Sequence, residues 1–112
     1  MADFEIQQKN TGAYGVRISA VDGVKEVGHV YLYILKNDLH EEPFGFVEDV
    51  FVAEEVRGMG VGAQIMRELI SCAKKRGCYK LTANSRHERK NVHEFYEKLG
   101  FKNHGVEFRV DF

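Results

Sequence analysis

Arg57-Gly58-Met59-Gly60-Val61-Gly62 carries the densest chemical signal in the chain, because its three glycines alternate immediately ahead of a helical pattern. Without Cβ atoms a backbone lies open to close approach by a ligand, and its amide N–H groups are bared. The first turn of a helix leaves about four N–H donors without intrahelical partners and carries roughly half a positive charge, so a phosphate-type anion is the matching ligand. Gly58 through Ala63 are the expected donors. Tight packing of a strand-to-helix turn would use the same glycines, so the triplet alone leaves both readings open. A Rossmann turn fits poorly, since the sheet before it reads as antiparallel and no βαβ unit precedes it. A P-loop fits worse, because Gly62 is not followed by Lys and Ser or Thr.

The elements that must position this turn follow from punctuation and periodicity. From Phe4 to Val52 the chain is rich in Val, Ile, Tyr and Phe, broken at Thr11-Gly12, Asp22-Gly23 and Asn37-Asp38, which predicts short antiparallel strands. Ala13 to Ala20 and Val24 to Lys36 flank Asp22-Gly23 as a hairpin. A third long strand, Gly45 to Val52, follows a loop that holds the sole proline, Pro43. The period then becomes about 3.6, with Val61, Ile65, Leu69, Ile70 and Ala73 on one face and Arg67, Glu68, Lys74 and Lys75 opposite. Gly77 can cap this helix in a left-handed conformation. Tyr79 to Asn84 reads as a strand, Glu88 to Leu99 as a second helix closed by Gly100, and Phe101 to Phe112 as a final strand or short hairpin. The expected order is four strands, a helix, a strand, a helix and a strand. The class is α+β, a mixed, mostly antiparallel sheet with two main helices, in one domain spanning 1–112.

Composition removes several function classes. Against 17 Asp and Glu stand 16 Lys and Arg, for a net charge of -1, so no broad field draws the chain to nucleic acid or an anionic membrane. No apolar run approaches the roughly 20 residues that span a bilayer. Cys72 and Cys78 lack metal-ligand spacing and the N-terminus has no signal-peptide pattern, so a reduced cytoplasmic location without a metal is expected.

Three segments resemble successive signatures of the GNAT acyltransferase superfamily, in the family's order and spacing. They are Val47-Glu48-Asp49-Val50-Phe51-Val52, then Arg57 to Gly62, then Phe95-Tyr96-Glu97-Lys98-Leu99-Gly100-Phe101. Within the superfamily, Gly77-Cys78-Tyr79-Lys80 and Gly105-Val106-Glu107 also resemble glucosamine-6-phosphate N-acetyltransferases.

The resemblance implies the GNAT fold and acetyl-CoA as cosubstrate, its diphosphate held by Arg57, Gly58, Met59, Gly60, Val61, Gly62 and Ala63. It implies that the strand carrying Val50, Phe51 and Val52 splays from its neighbour, so that its backbone pairs with the pantetheine arm as an added strand would. It places Tyr96 as the general acid, since a phenol with an ordinary pKa of about 10 remains protonated at neutral pH. Glu48 becomes the candidate base for the acceptor ammonium. Strand alternation sends Asp49 to the opposite face unless a bulge intervenes, and a solvated carboxylate remains the plain alternative for either acid. Where many family members have asparagine seven residues before the tyrosine, this chain has Arg89, then Lys90 and Asn91. Arg86, Arg89 and Lys90 could neutralise CoA phosphates, with Asn91 beside them, or form a solvated basic helix start. His87 and His93 read as surface residues, and both cysteines as packing residues.

Typical family members carry two helices between their first and second strands, and residues 1–36 show none. The acceptor cleft is therefore expected to be open or completed by a second subunit, in a homodimer. The expected activity is N-acetylation of a primary amine by direct attack in a ternary complex, with a small amine or amino sugar favoured over a protein amine. A non-catalytic CoA-binding or regulatory module is the alternative; a nucleotide or nucleic-acid binder is disfavoured by the balanced charge.

Overall fold

Alternating side chains along three long strands decide which face of the sheet is dry. The computed structural model describes residues 3–85 and 89–112. Its strands are β1 (Ala13–Asp22), β2 (Lys25–Leu35), β3 (Phe44–Val52) and the short β4 (Leu81–Ala83), in the spatial order β1-β2-β3-β4. β1/β2 and β2/β3 are antiparallel; β3/β4 is parallel. A parallel pair needs a long crossover, which α1 (Val61–Lys75) supplies. α2 (Lys90–Lys98) follows β4.

In β2, Val30, Leu32 and Ile34 are buried, whereas the intervening His29, Tyr31 and Tyr33 retain exposure. The dry face packs against Ile65, Met66, Leu69 and Ala73 of α1, with Val47 of β3 completing the core. Phe95, Tyr96, Leu99 and Phe101 pack on the margin of this same core, so α2 belongs to the α1 side of the sheet. Burying an aliphatic side chain of this size stabilises by about 1.5–3 kcal/mol before entropy is counted.

The turns obey local backbone chemistry. The β1–β2 loop is centred on Gly23-Val24, one residue later than the Asp22-Gly23 break suggests, and only Gly23 has a positive φ, of 64°. That is the hairpin pattern with glycine at the first central position. α1 ends in a Schellman motif, with Gly77 at φ 83°, the Cys78 N–H on Ala73 O at 3.0 Å and the Gly77 N–H on Lys74 O at 3.1 Å.

Two expected strands are not formed. Residues 3–12 and 101–112 have no strand assignment, so three strands precede α1 rather than four, and β4 is an edge of the described sheet. Alternation gave Val106, Phe108, Val110 and Phe112 a strand-like pattern, yet they are exposed, because no described strand pairs with them. The radius of gyration is 17.0 Å, above the roughly 13 Å of a compact chain of this length, as these extended ends require. The expected helix start at Glu88 lies outside the described residues.

Candidate functional site

The glycine turn is built by conformation rather than crowding. After the short 3-10 turn Glu54–Val56, Gly58 and Gly60 take φ of 83° and 82°, left-handed values that cost other residues about 1–2 kcal/mol. A Cβ at either position would meet nothing within 4 Å, so the outer side of the turn is open to a ligand. Gly62 differs: its missing Cβ would sit in ordinary contact with Val52 and the Phe95 ring, at 3.5 and 3.6 Å.

Gly60 caps α1 without a side-chain hydrogen bond, and the first turn carries no acidic residue. The Gln64 N–H reaches Gly60 O at 3.0 Å, which leaves the amides of Val61, Gly62 and Ala63 without intrahelical acceptors. The Met59 N–H is different, donating to Val56 O at 3.2 Å; it drops out of the expected donor set. Arg57 donates from Nε to Val52 O at 3.1 Å and ties the turn to the end of β3. These donors and the positive helix end fit a diphosphate.

β3 changes character halfway. Its pairing with β4 covers only Gly45, Phe46 and Val47, opposite Leu81, Thr82 and Ala83. From Glu48 to Val52 that edge of β3 has no strand beside it among the described residues. Val50 packs on the core and Val52 reaches the glycine turn, so both side chains face inward while the strand edge stays available for pairing. Phe51 faces the other way, is 44% exposed and stacks on His29 with centroids 5.2 Å apart.

A bulge resolves the two carboxylates. β2 pairs His29 with Phe51 and Tyr31 with Glu48, so Asp49 and Val50 together oppose Val30 alone. Asp49 takes φ 56°, the sole positive φ at a non-glycine among the described residues. The alternation that would send Asp49 to the helix side therefore fails. Glu48 and Asp49 are both exposed, and Asp49 Oδ2 lies 2.9 Å from His29 Nε2 on the face opposite α1.

Tyr96 is positioned by the end of its helix. Gly100 has φ 97°, the Phe101 N–H reaches Tyr96 O and the Gly100 N–H reaches Glu97 O, both at 3.0 Å, forming a second Schellman motif. The apolar contact that accompanies this motif is here the Tyr96–Phe101 ring pair, 5.3 Å between centroids. Leu99-Gly100-Phe101 thus orients the phenol. Burial pushes the Tyr96 hydroxyl above its ordinary pKa, the Glu48 carboxylate adds to the rise, and the Arg89 guanidinium opposes it. A group shifted in that direction stays protonated at neutral pH, and the coupling brings Glu48, Tyr96 and Arg89 into one field.

Arg89 is the N-cap residue of α2, and Asn91 lies exposed in its first turn. Arg86 and His87 lie outside the described residues. His93 is half-buried rather than a surface residue, and it lines with Tyr96 a cleft of about 1020 Å³ between β4, α1 and residues 99–107. That cleft excludes both the glycine turn and Glu48. The cysteines are free and half-buried; burial, then Cys72, pushes the Cys78 thiol up, away from nucleophilic character. His29, which meets Asp49 at the bulge, is a residue that sequence reasoning did not single out. Its partner Asp49 is 20 positions away and joined to it only by strand register.

The model of the acetyltransferase (GNAT) family matches residues 2–101. A glucosamine 6-phosphate N-acetyltransferase of Trypanosoma brucei brucei is 39% identical over 67 residues, covering 60% of this chain and 44% of that protein. The solved structure of a Trypanosoma brucei acetyltransferase superposes with a TM-score of 0.81 at 30% identity, covering 88% of this chain and 69% of that one. A transcriptional regulator from Bacillus halodurans C-125 superposes with a TM-score of 0.83 at 27% identity, covering 88% and 66%. The chain thus spans about half the length of the curated relatives it matches. Among the described residues no helix is long and apolar enough to cross a membrane.

Proposed function

Because this chain belongs to the GNAT acetyltransferase family, we propose that it transfers an acetyl group from acetyl-CoA to a primary amine by direct attack in a ternary complex. The amides of Gly58 and Gly60 through Ala63 hold the diphosphate, with Arg57 fixing the turn and Arg89 and Asn91 adding polar contacts. The free edge of β3, at Val50, Phe51 and Val52, pairs with the amides of pantetheine. Glu48 takes the proton from the acceptor ammonium, directly or through water. The neutral nitrogen attacks the thioester carbonyl, an N–C bond forms and the C–S bond breaks. Main-chain amides at the bulge stabilise the oxyanion, and Tyr96 gives its proton to the departing thiolate.

The observation that carries this reading is where β3–β4 pairing stops. It ends at Val47, one residue before Glu48, and leaves the segment leading into the glycine turn with no described strand on that side. Tyr96, raised in pKa partly by Glu48, supplies the matching acid.

The acceptor is a small amine or amino sugar in preference to a protein amine, a choice supported by relatives named glucosamine 6-phosphate N-acetyltransferase. A second copy completes the cleft; the open edge of β4 and the exposed alternating residues of 106–112 support it. A cytoplasmic location follows from such a substrate. The second reading is a non-catalytic CoA-binding or regulatory module, favoured by the absence of any described helix over the outer face of the sheet. Thiol release from acetyl-CoA, screened against amines with CoA binding measured in parallel, separates the two. Amine-dependent thiol supports transfer; binding without thiol overturns it.

A further inference from the structure

The bulge in β3 holds a non-glycine residue in a left-handed conformation, and something must keep it there. Asp49 at φ 56° tolerates this region better than most residues, but its carboxylate also has a partner. His29 Nε2 lies 2.9 Å from Asp49 Oδ2, and its ring is fixed on several sides. Phe51 stacks on it at 5.2 Å, Tyr31 meets it edge-on at 5.7 Å, and its side chain is only 16% exposed.

The second ring nitrogen, Nδ1, faces Glu26 Oε2 at 3.4 Å, and Glu26 is gripped by both Arg17 nitrogens at 2.5 and 2.9 Å. Arg17 Nε also donates to the Tyr31 hydroxyl at 3.2 Å. The polar chain Arg17–Glu26–His29–Asp49 thus crosses three strands on the face away from α1 and ends at the bulge. A neutral imidazole has one N–H to give, and Asp49 is the nearer acceptor. The hydrogen bonds of this chain reach neither the glycine turn nor Tyr96, and the transfer steps above do not use His29.

We propose that His29 is a positioning residue that clamps the Asp49 carboxylate and thereby holds the β3 bulge, setting the backbone of Val50 and Phe51 for the acyl group. It acts through Asp49 and not on the reacting atoms. Its effect on turnover rests on the transferase reading; its effect on the bulge does not.

The test compares His29→Phe, which keeps a stacking ring without a donor, with His29→Gln, which keeps an N–H at the reach of Nε2. Amide hydrogen exchange at Val50 and Phe51 is measured by NMR in the wild type, both variants, Asp49→Gly and the His29→Phe/Asp49→Gly double variant. His29→Phe should speed exchange there about 10-fold, and His29→Gln should stay within about threefold of the wild type. Glycine accepts a positive φ without a clamp, so in the Asp49→Gly background His29→Phe should add less than about twofold. Turnover should fall about 10-fold in His29→Phe, more than the Kd for CoA rises, because the diphosphate remains held at the glycine turn while the pantetheine contacts at Val50 and Phe51 loosen. Wild-type exchange in His29→Phe overturns the proposal. So does His29→Gln behaving like His29→Phe, or an undiminished effect in the glycine background. If the wild type itself turns over no amine, the transferase reading fails, while exchange still decides the clamp.

Discussion

The two faces of the sheet use the same strands for opposite purposes. On the α1 side Val30, Leu32, Ile34 and Val47 are buried and apolar, packed on Ile65, Met66 and Leu69. On the other, Arg17, Glu26, His29, Tyr31, Glu48 and Asp49 form a polar and aromatic surface with no described helix over it. Alternation at period two generates both faces from one stretch of sequence. The dry face holds the core; the open face carries the charged and aromatic side chains.

Substitutions on the two faces should separate accordingly. Leu69→Ala removes a fully buried side chain and should cost about 2–5 kcal/mol in denaturant unfolding, whereas Tyr33→Ala on the open face should cost less than about 1 kcal/mol. Equal costs would erase the contrast. Tyr96→Phe should lower kcat about 10²-fold, about 2.7 kcal/mol of barrier, with little change in melting temperature. The raised pKa of Tyr96 moves the wild-type alkaline loss of activity upward from the ordinary phenol range, and the phenylalanine variant should lack that limb. An unchanged rate would remove Tyr96 from the chemistry.

Gly60→Ala sharpens the comparison at the end of β3. A Cβ there meets open space, so the cost is conformational, about 1–2 kcal/mol of stability, with CoA affinity falling as the turn distorts. The smallest effect belongs to the open face. Arg17 holds the Glu26 carboxyl down to about 2, below its unfolded value of about 4.3. A depressed carboxylate stabilises above the unfolded pKa and loses that contribution as pH falls toward the folded one. The stability difference between wild type and Glu26→Gln should therefore be present at pH 6 and fade between about pH 4.3 and 2; a pH-independent difference would contradict the pairing.

Legibility in the sequence followed from how local each cause is. The α1 stripe from Val61 to Ala73, the left-handed Gly77 and Gly100 and the strand-to-helix glycine turn depend on neighbours within a few residues, and all were readable. The bulge at Asp49 was not, because alternation presumes an unbroken register and nothing in Glu48-Asp49-Val50 marks the extra residue. The His29–Asp49 contact was invisible for the same reason: it joins residues on two different strands. Phe101 to Phe112 was misread because alternation shows that a segment can pair, not that an edge lies within its reach. Met59 looked like its glycine neighbours, yet its N–H is taken by Val56.

The central claim is that the amides at the start of α1 grasp a diphosphate. Titrating acetyl-CoA into isotopically labelled protein and following the amide signals of residues 58–63 tests it most directly. Saturable shifts confined to that turn and to Val50–Val52 are expected, reduced in Gly60→Ala. Signals that stay in place at millimolar acetyl-CoA would contradict the account.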